Sequence, residues 1–525
     1  MPRAYNKPEF GPCAPVAAAL LTDWGNSDRV DFPFGRGLRC GQLFSYLGRY
    51  ILWGDTPMFS DSAFQQLKKN IRGEVVRRDD AAYDATRKVW NRMIDKRPGL
   101  IVRCLGTADV IRSVEFARDH NLAAAVRGGG HNIAGKCLCD EGLLIDLSAM
   151  KGIHVDAVQR TARAQAGLRL GEFDRETQVF GLATTMGVAT DTGVAGITLG
   201  GGYGWLDGKF GLACDNLVSA EVVTAEGKVI TASAHENPDL LWGLRGGSGN
   251  FGIVTSFEFQ LHPVGPVLGG AFFYSMSVAM QAFRFLDEFS RTCPDELSTF
   301  LAGAPAPDGT PCVGIALCYC GELETGEELL KPLRRFAPPI ADMVAARSYV
   351  EMQSLFDEAF TPGRFYYWKS SLLREINEGA AEILTECTRK MPMTPGSFFY
   401  LQQLHGAASR VKPTETAFPH RYDHYNCGAM AGWDDEAHTE RNVRWSRESW
   451  TAMQPFCEHD AYVNDLGEEG EQRVREAYGQ NYERLVALKQ KYDPTNFFRL
   501  NQNIWPAGVS GQAAQANVAA VTKMP

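Results

Sequence analysis

Three consecutive glycines followed by a histidine form the part of this sequence best suited to chemistry. The segment reads Arg127-Gly128-Gly129-Gly130-His131-Asn132. Glycine has no Cβ atom, so this backbone can adopt left-handed angles and approach a ligand closely. The imidazole of His131 suits metal binding, proton transfer or covalent attachment near neutral pH. We therefore expect the segment to present backbone N–H groups and one imidazole to a large, flat or anionic group.

Two further glycine-rich segments lie downstream. Residues 186–205 contain so many glycines that we expect neither an ordinary helix nor an ordinary strand there, but backbone passing close to a bound group. Residues 247–252 match the GxGxxG pattern. They precede a predicted strand at 253–259, whereas the dinucleotide fingerprint requires a helix whose N-terminus holds pyrophosphate. A Rossmann-type site is therefore disfavoured.

The elements predicted around the histidine form a βαβ unit. Apolar residues at helical spacing predict helices at 84–96 and 108–120, and Thr107 is the predicted cap of the second helix. Asn121 suits the end of that helix. Apolar runs predict strands at 100–104, 122–126 and 143–147. The glycine turn is therefore expected between two strands.

Later segments also alternate between strand and helix patterns. The predicted elements are a strand at 161–166, a helix at 170–180, a hairpin formed by 217–224 and 228–231, and a charged helix at about 468–490. Between them lie aromatic-rich pieces at 365–368 and 398–400. Their composition suits the floor of an apolar pocket.

Length and composition favour a globular protein of two domains. The chain has 525 residues, well above the size at which single cores stop growing. Hydrophobic residues make up 45% and charged residues 22%, and the net charge of −9 argues against nucleic acid or anionic membrane as main partners. No apolar run reaches the roughly 18 residues of a membrane span, and no convincing signal peptide is present. We therefore expect a cytoplasmic protein with a small-molecule substrate, and the oligomeric state stays open.

The cysteines indicate reduced thiols. The sequence has 13 of them, an odd number scattered along a large chain, which fits a cytoplasmic protein better than a disulfide framework. Two pairs, Cys137/Cys139 and Cys318/Cys320, are separated by a single residue. This spacing is typical of neither a zinc knuckle nor a redox motif, so we interpret them as small buried side chains and predict no metal.

Taken together, six motifs resemble those of FAD-linked oxidases of the berberine-bridge-enzyme-like group, part of the vanillyl-alcohol oxidase and p-cresol methylhydroxylase (PCMH) superfamily. In chain order the motifs are 127–132, 193–203, 214–216, 247–254, 462–464 and 492–498. The resemblance covers about residues 75–508. The ordered set is much more specific than any one motif.

The resemblance implies an α+β fold, in which a PCMH-type FAD-binding domain of two α/β subdomains is followed by a substrate domain with an antiparallel sheet covered by helices. The expected divisions are an N-terminal arm at 1–70, the FAD-binding domain at 71–268, the substrate-binding domain at 269–464, a C-terminal segment at 465–508 that returns to the FAD domain, and a tail at 509–525. An aromatic patch at 43–53 either packs on the body of the protein or forms an oligomer contact or pocket lid.

The resemblance also implies a covalent cofactor. In such proteins the histidine of the glycine turn bonds to the 8α-methyl group of FAD, a role that passes to His131 here. Many relatives have a second link through a cysteine at the position that matches Ala189, so a single link is expected. The residues expected to contact FAD are Arg127, Gly128, Gly129, Gly130, His131, Asn132, Asp191, Thr192, Gly193, Gly196, Thr198, Gly200, Gly201, Tyr203, Gly204, Gly249, Gly252, Val254, Tyr462, Asn464, Asn501 and Asn503.

Two tyrosines are candidates for catalysis. In plant relatives a carboxylate or amide lies five residues before a tryptophan that matches Trp433, but Gly428 occupies that position here. In bacterial relatives the tyrosine of a Tyr-x-Asn motif takes the proton, and Tyr462 matches it. Tyr203 matches a second aromatic residue beside the flavin, and either tyrosine could instead only pack against the ring. A tyrosine with a pKa near 10 is a poor base in water, so Tyr462 needs donors that stabilise its phenolate, or proton transfer concerted with hydride loss.

Other matched positions have both a functional and a structural interpretation. Thr192 matches the residue that controls oxygen access to the flavin, and its size fits oxygen use, but it could serve only as a spacer. The side chains of Asn464, Asn501 and Asn503 suit polar neighbours of the flavin or its ribityl chain, and they equally suit turns.

The resemblance therefore implies an FAD-dependent oxidase. Tyr462 is expected to accept a proton from a substrate O–H or N–H while a hydride passes from the adjacent carbon to flavin N5, and O₂ is then reduced to H₂O₂. The aromatic middle domain favours a fairly large, partly apolar alcohol, amine or phenolic metabolite, as in bacterial secondary metabolism or catabolism. The alternatives are a dehydrogenase of the same fold with another electron acceptor, and a flavin-binding protein that only sequesters a ligand.

Overall fold

A four-stranded sheet carries the glycine turn at the end of one strand. A computed structural model describes residues 59–306 and 308–508. Its first elements are α1 (Asp61–Asn70), β1 (Glu74–Arg77), α2 (Tyr83–Thr86), β2 (Leu100–Arg103), α3 (Thr107–Asp119), β3 (Ala124–Arg127) and β4 (Leu143–Asp146). The strand order is β1-β2-β4-β3, with β1 antiparallel to β2 and the other neighbours parallel. The predicted βαβ unit is confirmed, and the glycine turn directly follows β3.

The helix predicted at 84–96 is wrong beyond its first turn, because α2 ends at Thr86 and the chain continues as turns and loop. Trp90 Nε1 donates to the carbonyl of Phe360 at 2.9 Å. The amide of Asn91 exchanges two hydrogen bonds with the backbone of Tyr366, at 2.9 and 3.0 Å. These long-range bonds replace local helical ones, since tertiary contacts readily outweigh helix propensity.

The start of α3 differs from the prediction by one residue. The capping position is the extended Gly106, and Thr107 is the first helical residue. The Thr107 hydroxyl donates to Glu221 Oε1 at 2.7 Å, so it joins α3 to a neighbouring strand rather than capping the helix. Asn121 has a φ of 52° just after the helix, as its position in the sequence predicts.

A five-stranded antiparallel sheet follows. The elements of this region are β5 (Ile153–Asp156), β6 (Thr161–Gln165), α4 (Leu170–Gln178), β7 (Leu182–Ala183), α5 (Val194–Gly200), α6 (Asp207–Phe210), β8 (Leu217–Val223), β9 (Val229–Ser233), α7 (Pro238–Leu244), β10 (Ile253–Gln260) and β11 (His262–Pro263). The sheet order is β5-β6-β10-β8-β9, while β7 and β11 pair separately. The predicted hairpin and the strand after the GxGxxG segment are confirmed.

The glycine-rich segment 186–205 contains a short helix, so the expectation of no helix there is wrong. The helix α5 spans seven residues and ends where Gly201 and Gly202 adopt φ angles of +128° and +91°. Glycine density therefore defines the end of this helix, since few other residues adopt such angles without strain. Directly after this helix, the backbone passes close to a cavity.

The third sheet is antiparallel and larger. The elements of this region are β12 (Val267–Ser275), α8 (Ala279–Arg291), β13 (Leu297–Pro305), β14 (Pro311–Tyr319), α9 (Leu323–Leu329), α10 (Lys331–Phe336), β15 (Ala341–Asp342), β16 (Ala345–Arg347), α11 (Tyr349–Gln353), β17 (Phe365–Leu373), α12 (Glu378–Arg389), β18 (Phe398–Leu404), α13 (Ala407–Arg410), β19 (His424–Trp433) and α14 (Thr439–Met453). The strand order is β15-β12-β14-β13-β18-β19-β17, and β16 also pairs with β12.

The two faces of this sheet have different partners. Phe399 belongs to an apolar core that also contains side chains of α8, α12 and α14, such as Leu286, Leu384 and Trp445. The adjacent Tyr400 points to the opposite face and packs with Phe300. Because side chains alternate along a strand, one face is covered by helices while the other is available to a cavity.

The C-terminal segment is tied to the GxGxxG loop. The helix predicted at 468–490 is interrupted, because Gly479, at a φ of +44°, separates α15 (Glu471–Tyr478) from α16 (Tyr482–Tyr492). Lys489 Nζ donates to Asp493 Oδ2 (2.7 Å) and to the carbonyls of Asn250 (2.8 Å) and Phe498 (2.9 Å). This buried ammonium thus joins three parts of the chain.

The predictions for the aromatic patch and the rest of the arm up to residue 58, and for the tail from residue 509, lie outside the described residues.

Candidate active site

A cavity of about 370 Å³ lies among the glycine turns, the third sheet and the C-terminal segment, and its size is typical of small-molecule sites. Most residues predicted to contact FAD line it: Gly128, Gly129, Gly130, His131, Asn132, Thr192, Gly193, Gly196, Tyr203, Gly249, Gly252, Val254, Tyr462, Asn464 and Asn501. The other predicted residues lie outside this lining: Arg127, Asp191, Thr198, Gly200, Gly201, Gly204 and Asn503. Residues of five of the six sequence motifs therefore line one cavity, and the motif at 214–216 does not reach it.

The glycines that line the cavity serve two different purposes. Gly129 and Gly193 lie back to back, and a Cβ on Gly129 would be 2.5 Å from the Cα of Gly193. Gly196 and Gly249 also line the cavity, but a Cβ on either would meet no protein atom within 4 Å. Packing within the protein explains the first pair. The second pair leaves open a cradle that fits close approach by a ligand.

Arg127 holds the base of the first turn. Its guanidinium donates from Nε and Nη2 to the two carboxylate oxygens of Asp146, at 3.0 and 2.6 Å, and from Nη1 to the carbonyl of Lys88 at 3.0 Å. Both side chains of this pair are buried. The bidentate geometry fixes the direction in which the chain leaves β3.

His131 lies against an aromatic stack and a carboxylate. Its ring stacks on Trp90 at 4.7 Å, and Trp90 stacks on Tyr366 at 3.9 Å. His131 Nε2 is 3.1 Å from Asp191 Oδ2, and Asp191 also pairs with Arg169. Burial, together with the positive charge of Arg169, lowers the pKa of His131 to about 3. The imidazole is therefore neutral, with Nε2–H donated to Asp191 and Nδ1 left unprotonated.

Tyr462 has two hydrogen-bond donors at its phenol oxygen. The N–H of Gly202 lies 3.0 Å away and Asn464 Nδ2 lies 2.8 Å away. These donors favour the phenolate, but burial and the nearby Asp465 outweigh them, and the net effect raises the pKa of Tyr462. The phenol is therefore protonated at neutral pH. The donors predicted from the sequence are present, but they do not make it a ready base.

Tyr203 is hydrogen bonded to a histidine that the sequence analysis missed. Its hydroxyl lies 2.9 Å from His424 Nε2, while His424 Nδ1 lies 2.6 Å from the carbonyl of Tyr422. A carbonyl only accepts, so Nδ1 carries the hydrogen and Nε2 accepts from Tyr203. Burial lowers the pKa of His424 to about 3, which keeps the ring neutral. Tyr203 also lies edge-on to Tyr462 at 4.7 Å.

Asp465 is a second residue that the sequence analysis missed. It lines the cavity directly after the Tyr-x-Asn motif. It accepts hydrogen bonds from four neutral side chains: Trp368 (3.3 Å), Ser370 (3.0 Å), Tyr400 (3.0 Å) and Asn426 (2.7 Å). Burial raises the pKa of its carboxyl group in spite of these donors. Its position beside the motif is the one signal that the sequence offers.

Two asparagines that line the cavity each have a buried oxygen with no hydrogen-bond partner in the part of the chain that the structure describes. These atoms are Asn426 Oδ1 and Asn501 Oδ1. Buried polar atoms are nearly always paired, so orphan atoms at a cavity fit a polar ligand. Together with the open cradle at Gly196 and Gly249, they fit a large cofactor that carries both flat apolar and polar parts.

The structure also bears on metals and membranes. Within residues 59–306 and 308–508, no group of three or more His, Cys, Asp or Glu side chains could hold a metal ion. Burial raises the pKa of the thiols of Cys137, Cys139, Cys318 and Cys320. No described helix has the length and apolar character needed to cross a membrane.

Two family models match the chain. Residues 98–233 match a model described as an FAD binding domain, and residues 461–505 match one described as berberine and berberine like. The first range contains the glycine turn with His131, and the second contains Tyr462 and Asp465. Both matches therefore include residues of the cavity wall.

Relatives of known name match most of the chain. An FAD-linked oxidoreductase of Dictyostelium discoideum is 32% identical over 83% of this chain and 96% of its own length. The (R)-6-hydroxynicotine oxidase of Paenarthrobacter nicotinovorans is 34% identical over 84% of this chain and 98% of its own. A crystal structure of 6-hydroxy-D-nicotine oxidase from Arthrobacter nicotinovorans has a TM-score of 0.76 at 31% identity and covers 86% of this chain and 99% of that one. The chain is an FAD-binding oxidoreductase and belongs to the berberine-bridge-enzyme-like family of FAD-linked oxidoreductases.

Proposed function

We propose that this enzyme is an oxidase whose FAD is bound covalently through His131 alone. FAD, when bound, accepts a hydride from a substrate carbon and passes the electrons to O₂, which yields H₂O₂. The observation that carries the proposal is the imidazole of His131 in the cavity wall, held through Nε2 at 3.1 Å from Asp191 Oδ2 and stacked on Trp90. The substrate is a partly apolar alcohol, amine or phenolic compound.

His131 suits covalent attachment because Nδ1 has a free lone pair at neutral pH. Asp191 holds the ring through Nε2, and the stack on Trp90 restricts its rotation. A protonated imidazole could not form the bond, and the low pKa of this ring removes that obstacle. Ala189 lines the same cavity where many relatives have a second attachment cysteine, so one link is proposed.

Cofactor binding and substrate binding are assigned to different parts of the chain, according to the elements that line the cavity. We assign FAD binding to residues 71–268 together with 465–508, and substrate binding to residues 269–464. The contacts of Lys489 with Asn250 and Phe498 support the return of the C-terminal segment to the FAD domain. The aromatic face of the third sheet supports a partly apolar substrate.

Oxygen use is supported by Thr192 and by the named relatives. The side chain of Thr192 lines the cavity beside the close contact of Gly129 with Gly193, and it is small enough to leave space next to a ligand. Several relatives are named oxidases, among them the (R)-6-hydroxynicotine oxidase and a xylooligosaccharide oxidase of Myceliophthora thermophila. We propose O₂ as the acceptor in this enzyme as well.

The two tyrosines act on the reacting group of the substrate. Tyr462 is proposed to take part in proton transfer in the same step as hydride loss, because its raised pKa leaves no free phenolate to act beforehand. The N–H of Gly202 and the amide of Asn464 compensate charge that develops on its oxygen. Tyr203, whose hydrogen is donated to His424, positions the substrate by packing.

Stoichiometry tests the choice of acceptor. The protein is reduced anaerobically with a substrate found by screening alcohols, amines and phenols, and O₂ is then admitted. An oxidase yields one H₂O₂ per flavin reoxidised within seconds, and His131→Ala lowers the amount of flavin that stays with the protein. The exposed His154 on β5 provides the matched control, since His154→Ala leaves flavin content unchanged. Flavin that is reduced but yields no peroxide in air would instead indicate a dehydrogenase, and flavin that no substrate reduces would indicate a ligand-sequestering protein.

A further inference from the structure

The wall of the cavity contains one carboxylate among its described lining residues, and that carboxylate has no cationic partner. Asp465 takes part in no ion pair within 4.0 Å among the described residues, and its four donors are uncharged side chains. The nearby Lys369 is paired with Glu469 instead. Burying an unpaired charge is costly, so such a group usually has a partner or a function.

The carboxylate is held in a built site. A Cβ on Gly428 would lie 2.5 Å from Cζ of Tyr400, so the glycine creates the space that this ring occupies. The Tyr400 hydroxyl then reaches Asp465 Oδ2 at 3.0 Å, and Asn426 reaches the same oxygen at 2.7 Å. Trp368 Nε1 donates to the other oxygen, Oδ1, at 3.3 Å. A carboxylate oxygen has two lone pairs, so Oδ1 retains a free acceptor position.

The rings around Asp465 favour a cation. Trp368, Tyr400 and Phe398 all line the cavity, and two of them touch the carboxylate. Aromatic faces attract ammonium groups, most strongly where the cation is removed from water. A neutral alcohol would leave the charge of Asp465 uncompensated, whereas an ammonium group would compensate it.

We propose that Asp465 binds the ammonium group of an amine substrate and accepts one of its protons. This proposal rests on the proposed function and names its substrate class, an amine with an apolar body. One N–H bond breaks and its proton bonds to Asp465 Oδ1, while the nitrogen keeps the electron pair. As the hydride leaves the adjacent carbon for FAD, that pair becomes the second bond of the C=N product. The amine is oxidised by two electrons and FAD is reduced by two.

The acidity of the carboxyl group fits this step. An ammonium group is a much weaker acid than an ordinary carboxylic acid, so its proton moves to a carboxylate only against a large difference in pKa. Burial raises the pKa of Asp465 and reduces that difference. For an amine substrate Asp465 therefore takes the proton in place of Tyr462, whose phenol is already protonated, and the proton transfer proposed for Tyr462 applies to alcohol and phenolic substrates.

Binding of matched probes to the holoprotein tests the proposal without turnover when the flavin is first reduced with dithionite and air is excluded, because a reduced flavin accepts no further hydride. The probes are benzylamine, phenethylamine, naphthylmethylamine and biphenylmethylamine, each compared with the alcohol of the same skeleton by isothermal titration calorimetry at neutral pH. We expect at least one amine to bind tenfold or more tightly than its alcohol. Asp465→Asn should remove that preference, Asp465→Glu should retain part of it, and the exposed Asp119→Asn should leave it unchanged.

The outcomes separate this proposal from the proposed function. Three results would each overturn it. They are equal binding of every amine and its alcohol, no binding of any amine at concentrations up to about 10 mM, and a preference for amines that survives in Asp465→Asn. Thermal melting of the variants shows whether they are folded. Absence of covalent flavin would overturn the proposed attachment but would leave the calorimetric preference for amines as an independent result.

Discussion

The buried Lys489 provides a quantitative test of how the C-terminal segment is held in place. Both its side chain and that of Asp493 are fully buried, and its ammonium group makes three hydrogen bonds. Replacement by methionine keeps the length of the stem but removes the charge. Asp493 then keeps its bonds to the backbone N–H groups of Phe497 and Phe498 and to the hydroxyl of Thr495, all of them uncharged donors. Breaking a buried ion pair from one side costs about 3–5 kcal/mol.

The shift in melting temperature follows from the size of the protein. Unfolding of the roughly 450 residues that the structure describes has an entropy of about 0.9 kcal/mol/K at 2.1 cal/mol/K per residue. A loss of about 4 kcal/mol therefore lowers the midpoint by about 4 °C if unfolding is cooperative. Differential scanning calorimetry of the apoprotein and the holoprotein measures the shift.

A lysine on the same helix supplies the control. Lys491 pairs with Asp239 on the surface, and its side chain is 58% exposed, so Lys491→Met should cost at most about 1 kcal/mol. The double variant Lys489→Met/Asp493→Asn should recover part of the loss, because it removes the stranded carboxylate as well. The two single variants should therefore differ in melting temperature by about 3 °C. A difference between Lys489→Met and Lys491→Met of less than about 1 °C would refute the reasoning.

Three further predictions concern the cavity. Gly196→Ala should leave the melting temperature of the apoprotein nearly unchanged and lower FAD incorporation, because its Cβ meets no protein atom. Gly129→Ala should destabilise the protein by about 1–3 kcal/mol, because its Cβ collides with Gly193. Flavin absorbance measures FAD incorporation, and calorimetry measures the change in stability. With an alcohol or phenolic substrate, Tyr462→Phe should slow anaerobic flavin reduction by roughly 10²-fold, measured by stopped flow, and an unchanged rate would assign the proton transfer elsewhere. His424 has a pKa of about 3 when folded and about 6.5 when unfolded, so the unfolded chain binds its proton first and stability is lost as pH falls from 6.5 towards 3. Between pH 7 and pH 4.5 the wild-type protein should therefore lose about 3 kcal/mol of stability that His424→Gln does not lose. Denaturant titrations at the two pH values measure both losses, and equal losses in the wild type and the variant would contradict the prediction.

The parts of the fold that follow from local pattern could be predicted from the sequence. Apolar runs define the strands on either side of the turn at 128–130, and the turn residues 225–227 define a hairpin. The helix predicted at 84–96 failed because Trp90 and Asn91 bond to residues about 270 positions away. No local pattern reports such a partner, so sequence periodicity gave the wrong element there.

The same distinction applies to the cavity. The glycine turn at 128–130 and His131 are contiguous in sequence, and the convergence of the separate glycine-rich segments on one cavity could be predicted from the ordered motifs. The contact of Tyr203 with His424 joins residues 221 positions apart, and Tyr400 fills the space left by Gly428 on a neighbouring strand. Asp465 directly follows a recognised motif, yet its lack of a cationic partner becomes visible only when the surrounding side chains are placed in three dimensions.

The most direct test of the central claim is to locate the flavin in the digested protein. Trypsin cleaves after Arg127 and Lys136, so the peptide 128–136 contains His131 and excludes both Cys137 and Cys139. The holoprotein is denatured in acid, washed free of unbound cofactor and digested. The peptides are separated, the fluorescent fraction is collected, and its peptide is identified by mass spectrometry. The account predicts that the fluorescence travels with peptide 128–136 and that its mass includes the flavin. Fluorescence lost entirely in the wash, or found on the peptide that begins at Cys137, would contradict it.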